Sequence, residues 1–145
     1  MLSTLLTALI GTLGGVAVGL QGPIATQMGK RVGSAASSLV VHVSGAIFSG
    51  ALLLARGGED MRNWRSLSWY MLGSGFFGVL LYLTINHTMP RLGATTALAL
   101  IIIGQLAMGI LIDHFGLFGV AIRQVDSWRA AGLLLLLVGG YLVIR

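Results

Sequence analysis

The chain has 145 residues, of which 56% are hydrophobic and 9% charged, against about 25% charged residues in an ordinary water-soluble domain. Nine Lys and Arg with four Asp and Glu cannot coat a globule, so a soluble fold is excluded and lipid is the fitting solvent. The net charge of +5 is spread as single residues between apolar runs rather than gathered in one stripe, which excludes a nucleic-acid surface, and the absence of cysteine removes disulfides, thiolate metal sites and thiol nucleophiles.

Crossing about 30 Å of hydrocarbon takes about 20 mostly apolar residues at a rise of 1.5 Å each. The first such run extends from Leu2 to about Thr26, and with no basic region or small-residue cleavage site ahead of it we read it as a retained span. Gly11, Gly15 and Gly19 recur every four residues along it, a helix-packing face on which another helix can approach closely. Gln21 precedes Gly22-Pro23, and a proline inside a helix removes one amide donor and clashes with the carbonyl four residues back, here Gly19. This predicts a helix that kinks or opens at Gly22 and Pro23. It places the Gln21 amide beside freed backbone, either to hold a solute or to shape packing.

A linker at Met28 to Arg31 leads to the second run, Val32 to Ala55, which has His42 near its centre, with Ser38 and Ser44 in reach to satisfy it. Imidazole is the side chain that changes charge between pH 5 and 8, so His42 is read either as a neutral interhelical hydrogen-bonder or as a proton carrier. After a polar linker from Arg56 to Ser66, the third run goes from about Leu67 to Met89 and carries Tyr82 and Asn86. A turn at Pro90-Arg91 precedes the fourth, Leu92 to Ile112, which contains Thr96 and Gln105. The linker from Asp113 to Ser127 holds an Asp113-His114 pair, too isolated for a metal or catalytic site. The fifth run, Ala130 to Ile144, is lengthened to about 128–144 by Trp128 and Arg129, with Arg145 at its far end, and carries a second flat helix-packing face at Gly132 and Gly139. Trp69, Tyr70 and Trp128 fit an aromatic belt at the membrane interfaces.

Hydrocarbon offers the backbone no partner, so these runs are helices or barrel strands. Stretches such as Leu133 to Val138 do not alternate with period two, which excludes the barrel. The expected fold is an all-α integral membrane protein, one membrane domain over residues 1–145 with spans at about 2–26, 32–55, 67–89, 92–112 and 128–144. Five spans place five Lys and Arg on one side of the bilayer and four on the other. Short-loop Lys and Arg set orientation, so a bias of one leaves room for insertion both ways or for pairing with a chain of opposite orientation. No internal repeat is evident, and an inverted two-fold would come from a second copy or a paralogue.

Three stretches carry a family resemblance: Gly14 to Ala25, Pro90 to Ala94, and Gly104 to Gly119 with its Gly104-Gln105-Leu106 and Ile112-Asp113-His114-Phe115-Gly116. They resemble the YdcZ-like exporter family of the drug/metabolite transporter superfamily. That resemblance implies a five-helix half-transporter of the bacterial inner membrane and kinship with small multidrug resistance exporters, which work as antiparallel dimers. Those exporters carry a buried glutamate in the first helix, and this sequence has no acid there.

Polar groups at membrane depth are costly unless they face a partner or a cavity, which selects Gln21, His42, Tyr82, Asn86 and Gln105 as candidate substrate-binding residues. No nucleotide, metal or other cofactor motif is present, and no catalytic constellation. The reading is a transporter subunit whose partners are the lipid bilayer, a small-molecule solute and a second copy or paralogue, acting by alternating access. The alternatives are a non-transporting membrane subunit that stabilises a larger partner, and a passive channel, which needs a polar lining through both halves of the bilayer.

Overall fold

The computed structural model describes residues 2–144, apart from the side chain of Ile144; Met1 and Arg145, the latter expected at an interface, lie outside the described residues. The regular elements are α1 (Leu2–Val32), α2 (Ser34–Ala55), a short α3 (Trp69–Leu72), α4 (Gly75–Leu92), α5 (Ala94–Phe115) and α6 (Ser127–Ile144), with 3-10 turns at Met61–Ser66 and Leu117–Gly119. Four stretches are long and apolar enough to cross a membrane: Leu2–Val32, Ser34–Ala55, Trp69–Leu92 and Ala94–Phe115. At 18 residues α6 is a shorter apolar helix, about 27 Å by the rise per residue.

Two compact units can be distinguished, residues 1–87 and 88–145. In the first, large aliphatic and aromatic side chains such as Leu9, Ile10, Phe48 and Leu54 are exposed, whereas the buried residues Ala25, Thr26, Ser37, Ser38, Tyr82 and Ile85 are mostly small or polar. This inverts the arrangement of a protein in water. Lipid is as apolar as leucine, so nothing drives large hydrocarbon side chains inward, and helices meet where small residues allow close contact.

Several boundaries differ from the sequence reading. Met28 to Arg31 is not a linker but the end of α1, which places Lys30 and Arg31 in its last turn, where cations complement the helix dipole. Pro90-Arg91 is likewise the last turn of α4, not a turn between helices. One helix gives way to the next instead at single glycines. Gly33 (φ 88°, ψ 151°) donates its amide to Gly29 O at 2.9 Å, and its carbonyl accepts the amide of Ser37 at 3.0 Å. Gly93 (φ 82°, ψ 163°) does the same with Met89 O at 3.0 Å and the Ala97 amide at 3.1 Å. One residue thus ends one helix and starts the next, in backbone space open essentially to glycine alone.

The two corners form a local repeat that the sequence reading missed. Each follows an Arg and a branched aliphatic residue, Arg31-Val32 and Arg91-Leu92, and each opens a helix of 22 residues. The fourth residue after each glycine, Ser37 at 0% and Ala97 at 1% exposure, is the most buried of its helix. α1 remains helical through Gly22 and Pro23 and does not open. The helix itself ends ten residues further on, at Gly33. The third span is also interrupted, at Gly73-Ser74 between α3 and α4.

In the second unit, Thr96 Oγ1 donates to Val143 O at 3.4 Å and the Gly140 Cα is pressed against Ile103, so α5 and α6 pack closely. Gly116, in the left-handed region at φ 61°, caps α5 by donating its amide to Ile112 O. Asp126 Oδ1 accepts the Arg129 amide at 2.8 Å at the start of α6, and Arg129 Nη1 meets Asp113 Oδ2 at 3.2 Å. This clasp joins the end of one helix to the beginning of the next.

Candidate functional site

α1, α2 and α4 enclose a cavity of about 370 Å³ in the first unit. Its wall is mostly apolar, with Val18, Val41, Leu81 and Ile85, and its polar groups are Gln21 from α1, His42 and Ser49 from α2, and Tyr82 from α4. Small residues create the space: Gly22 and Ala25, both buried, face it from α1, Gly45 from α2 and Gly78 from α4.

His42 is anchored within its own helix. Its Nδ1 lies 2.7 Å from Ser38 O and 3.3 Å from Ser38 Oγ. Ser44, the other residue expected to satisfy it, turns away and donates to Val41 O at 2.9 Å, the usual local outlet for a helical hydroxyl. The Tyr82 ring meets the imidazole edge-on, with centroids 6.1 Å apart and planes at 68°. The Tyr82 hydroxyl reaches Ala25 O at 3.5 Å, a long bond that links α4 to α1. On the far side of the imidazole, a Cβ added to Gly78 would stand 3.2 Å from His42 Nε2. The Thr26 hydroxyl is buried with no hydrogen-bond partner.

Of the five polar residues singled out in the sequence, Gln21, His42 and Tyr82 therefore share one cavity. Asn86 does not line it: its Nδ2 donates to Tyr82 O at 3.3 Å and its side chain presses on Gly29. Gln105 belongs to the second unit, in a separate cavity of about 380 Å³ with Asp113 and Arg129. A third cavity of about 410 Å³, between α5 and α6, is lined only by aliphatic residues and glycines and has no group to orient a solute. The described residues contain no group of three or more His, Asp or Glu placed to hold a metal ion.

The glycines also divide differently from their spacing in the sequence. A Cβ at Gly11, Gly15, Gly19, Gly132 or Gly139 would meet nothing within 4 Å among the described residues, and Gly132 and Gly139 border the cavities beside α5. The close approaches between helices are at Gly29, Gly78 and Gly140, which contact Asn86, His42 and Ile103. None of the three belongs to a regular glycine series, so spacing gave no signal of them. Only the positions of neighbouring helices identify them.

Residues 6–142, nearly the whole chain, match a family model described as "Putative inner membrane exporter, YdcZ". The chain belongs to the YdcZ exporter family. Its similarity to the Inner membrane protein YdcZ of Escherichia coli (strain K12) is 31% identity over 80 residues, covering 55% of this chain and 53% of that protein. The match thus spans about half the length of the relative. No solved structure matches the chain. Membership in the YdcZ family, together with four apolar helices able to span a bilayer, makes this an inner-membrane protein.

Proposed function

We propose that the chain is a five-span subunit that moves a small organic solute by alternating access, paired antiparallel with a second copy or a paralogue. The cavity containing Gln21, His42 and Tyr82 is its solute site. The observation that carries this reading is the contrast between the two kinds of cavity. The first unit gathers an amide, an imidazole and a phenol, contributed by three helices, around one space, while a cavity of about 410 Å³ in the second unit is bare hydrocarbon and its polar neighbour carries an already paired Asp113 and Arg129. Polar groups are costly at membrane depth and are retained where they serve a pathway. Pro23 adds to this by denying the Gly19 carbonyl its usual donor within one turn of Gln21.

α6 supplies the fifth span. It is short for about 30 Å of hydrocarbon, but Trp128, 85% exposed, and Arg129 at its start extend it into the interface. The open glycine face of α1 and the nearly even Lys and Arg count both suit a partner of opposite orientation.

The test is transport by purified protein in liposomes, screened over a panel of small solutes. Gln21→Ala, His42→Ala and Gly78→Leu should each lower uptake of the active solute at least about tenfold, the value of one lost buried hydrogen bond or of an overfilled cavity. Unchanged uptake in all three variants would remove the cavity from the pathway. Reporter fusions to the C-terminus that all fall on one side of the membrane would count against the antiparallel pair.

A further inference from the structure

The imidazole in the cavity has its tautomer set by its own helix. A carbonyl oxygen only accepts hydrogen bonds, and Ser38 O lies 2.7 Å from His42 Nδ1, so the ring hydrogen is on Nδ1. The lone pair of the neutral ring is then on Nε2, the atom that faces α4 at Gly78. Among the described residues Nε2 makes no hydrogen bond, and any side chain at position 78 would crowd it.

The surroundings limit what this lone pair can take. From α1 the cavity receives the uncharged Gln21, from α4 the phenol of Tyr82, and from α2 itself Ser49; no Asp, Glu, Lys or Arg lines it. A cationic solute would find no countercharge, and an anion would find no fixed cation. The volume of about 370 Å³ suits a compact molecule with substantial apolar surface.

We propose that the cavity selects small uncharged solutes that present one N–H or O–H donor to His42 Nε2, and that solute and proton compete for that single lone pair. The proposal rests on the reading of this cavity as the solute site. Protonation puts a hydrogen on Nε2, turns the acceptor into a donor and ejects the solute's donor; the only bond exchanged with the solute is a hydrogen bond. The sign follows directly. Binding needs the neutral ring, whose Nε2 accepts a hydrogen bond, and acidification opposes it by filling that lone pair with a proton. A solute leaving on the acidic side would thereby be exchanged for a proton.

The experiment uses the full chain in lipid nanodiscs, labelled with nitrogen-15 histidine, with His42 assigned by comparison with His42→Gln. Two probes of nearly the same shape are titrated: indole, which has an N–H donor, and 1-methylindole, which has none. In the probe-free protein the hydrogen-free nitrogen of His42 should be Nε2. Indole should shift that resonance, bind at least about tenfold more tightly than 1-methylindole, and lose affinity on acidification in the wild type.

Three results would overturn the proposal: a hydrogen on Nε2 in the neutral ring, equal binding of the two probes, or no binding of indole up to its solubility limit. Failure of the transporter reading is separable. Indole binding with the expected donor and pH dependence, alongside liposomes that transport nothing, would keep the site and remove the carrier. Robust transport of other solutes that is indifferent to His42→Gln would do the reverse.

Discussion

The corners at Gly33 and Gly93 are the same backbone device with different side chains mounted on it. Both glycines have nearly equal dihedrals, both bridge two helices by a donated amide and an accepted one, and both open a helix of 22 residues. After Gly33 come Ser37, Ser38 and His42; at the same offsets after Gly93 come Ala97, Leu98 and Ile102. At these offsets the first helix brings polar groups to a cavity, and the second packs hydrocarbon against α6, its own polar groups Gln105 and Asp113 lying further along. The lesson is that the scaffold does not by itself specify chemistry. A helix that meets its neighbours through small residues can present serine and histidine or alanine and isoleucine at equivalent positions, and only the former pair offers hydrogen bonds there.

The equivalence of the corners is most easily broken at the glycines themselves. Gly33→Val and Gly93→Val each force a β-branched residue into positive φ and should each cost about 1–3 kcal/mol, seen as similar drops in thermal midpoint in detergent. A tolerated substitution at one corner only would show that the two are not alike. The next position to examine is the fourth residue after each glycine. Ser37→Leu and Ala97→Leu overfill sites that are 0% and 1% exposed and should destabilise by about 1–3 kcal/mol. Ser37→Ala should be nearly silent, because the hydroxyl only bonds back to Ser34 O within its own helix.

The second unit places its charged pair at the helix ends, and there the expected effect is smaller. Arg129 and Asp113 are 34% and 33% exposed in their side chains, so Arg129→Ala should lower stability by about 0.5–1 kcal/mol, with most of the coupling recovered in a double-mutant cycle with Asp113→Ala. Gly11→Ala should have the smallest effect on the isolated chain, within about 0.5 kcal/mol, since its Cβ would enter open space. Cross-linking of the same variant in membranes gives a sharper answer: a reduced dimer yield would place a second copy on that face.

The sequence was most legible where the physics is additive. Transfer of a segment into lipid sums residue by residue, so the uncharged runs declared the helices and the bilayer without reference to one another, and the motif around Gln105 and Asp113 carried the family. Helix ends were less legible. A proline in the last turn of a helix is tolerated, and a lone glycine is enough to end one helix and start the next, so Pro90 gave a misleading signal and Gly33 and Gly93 gave none. Tertiary structure alone decided which polar residues meet and which glycines are tight. Whether Gln21, His42 and Tyr82 converge, while Asn86 and Gln105 do not, depends on the rotation of each helix about its axis. That rotation is set by pairwise contacts such as Gly78 against His42 and Gly29 against Asn86, and no single segment contains both halves of such a contact.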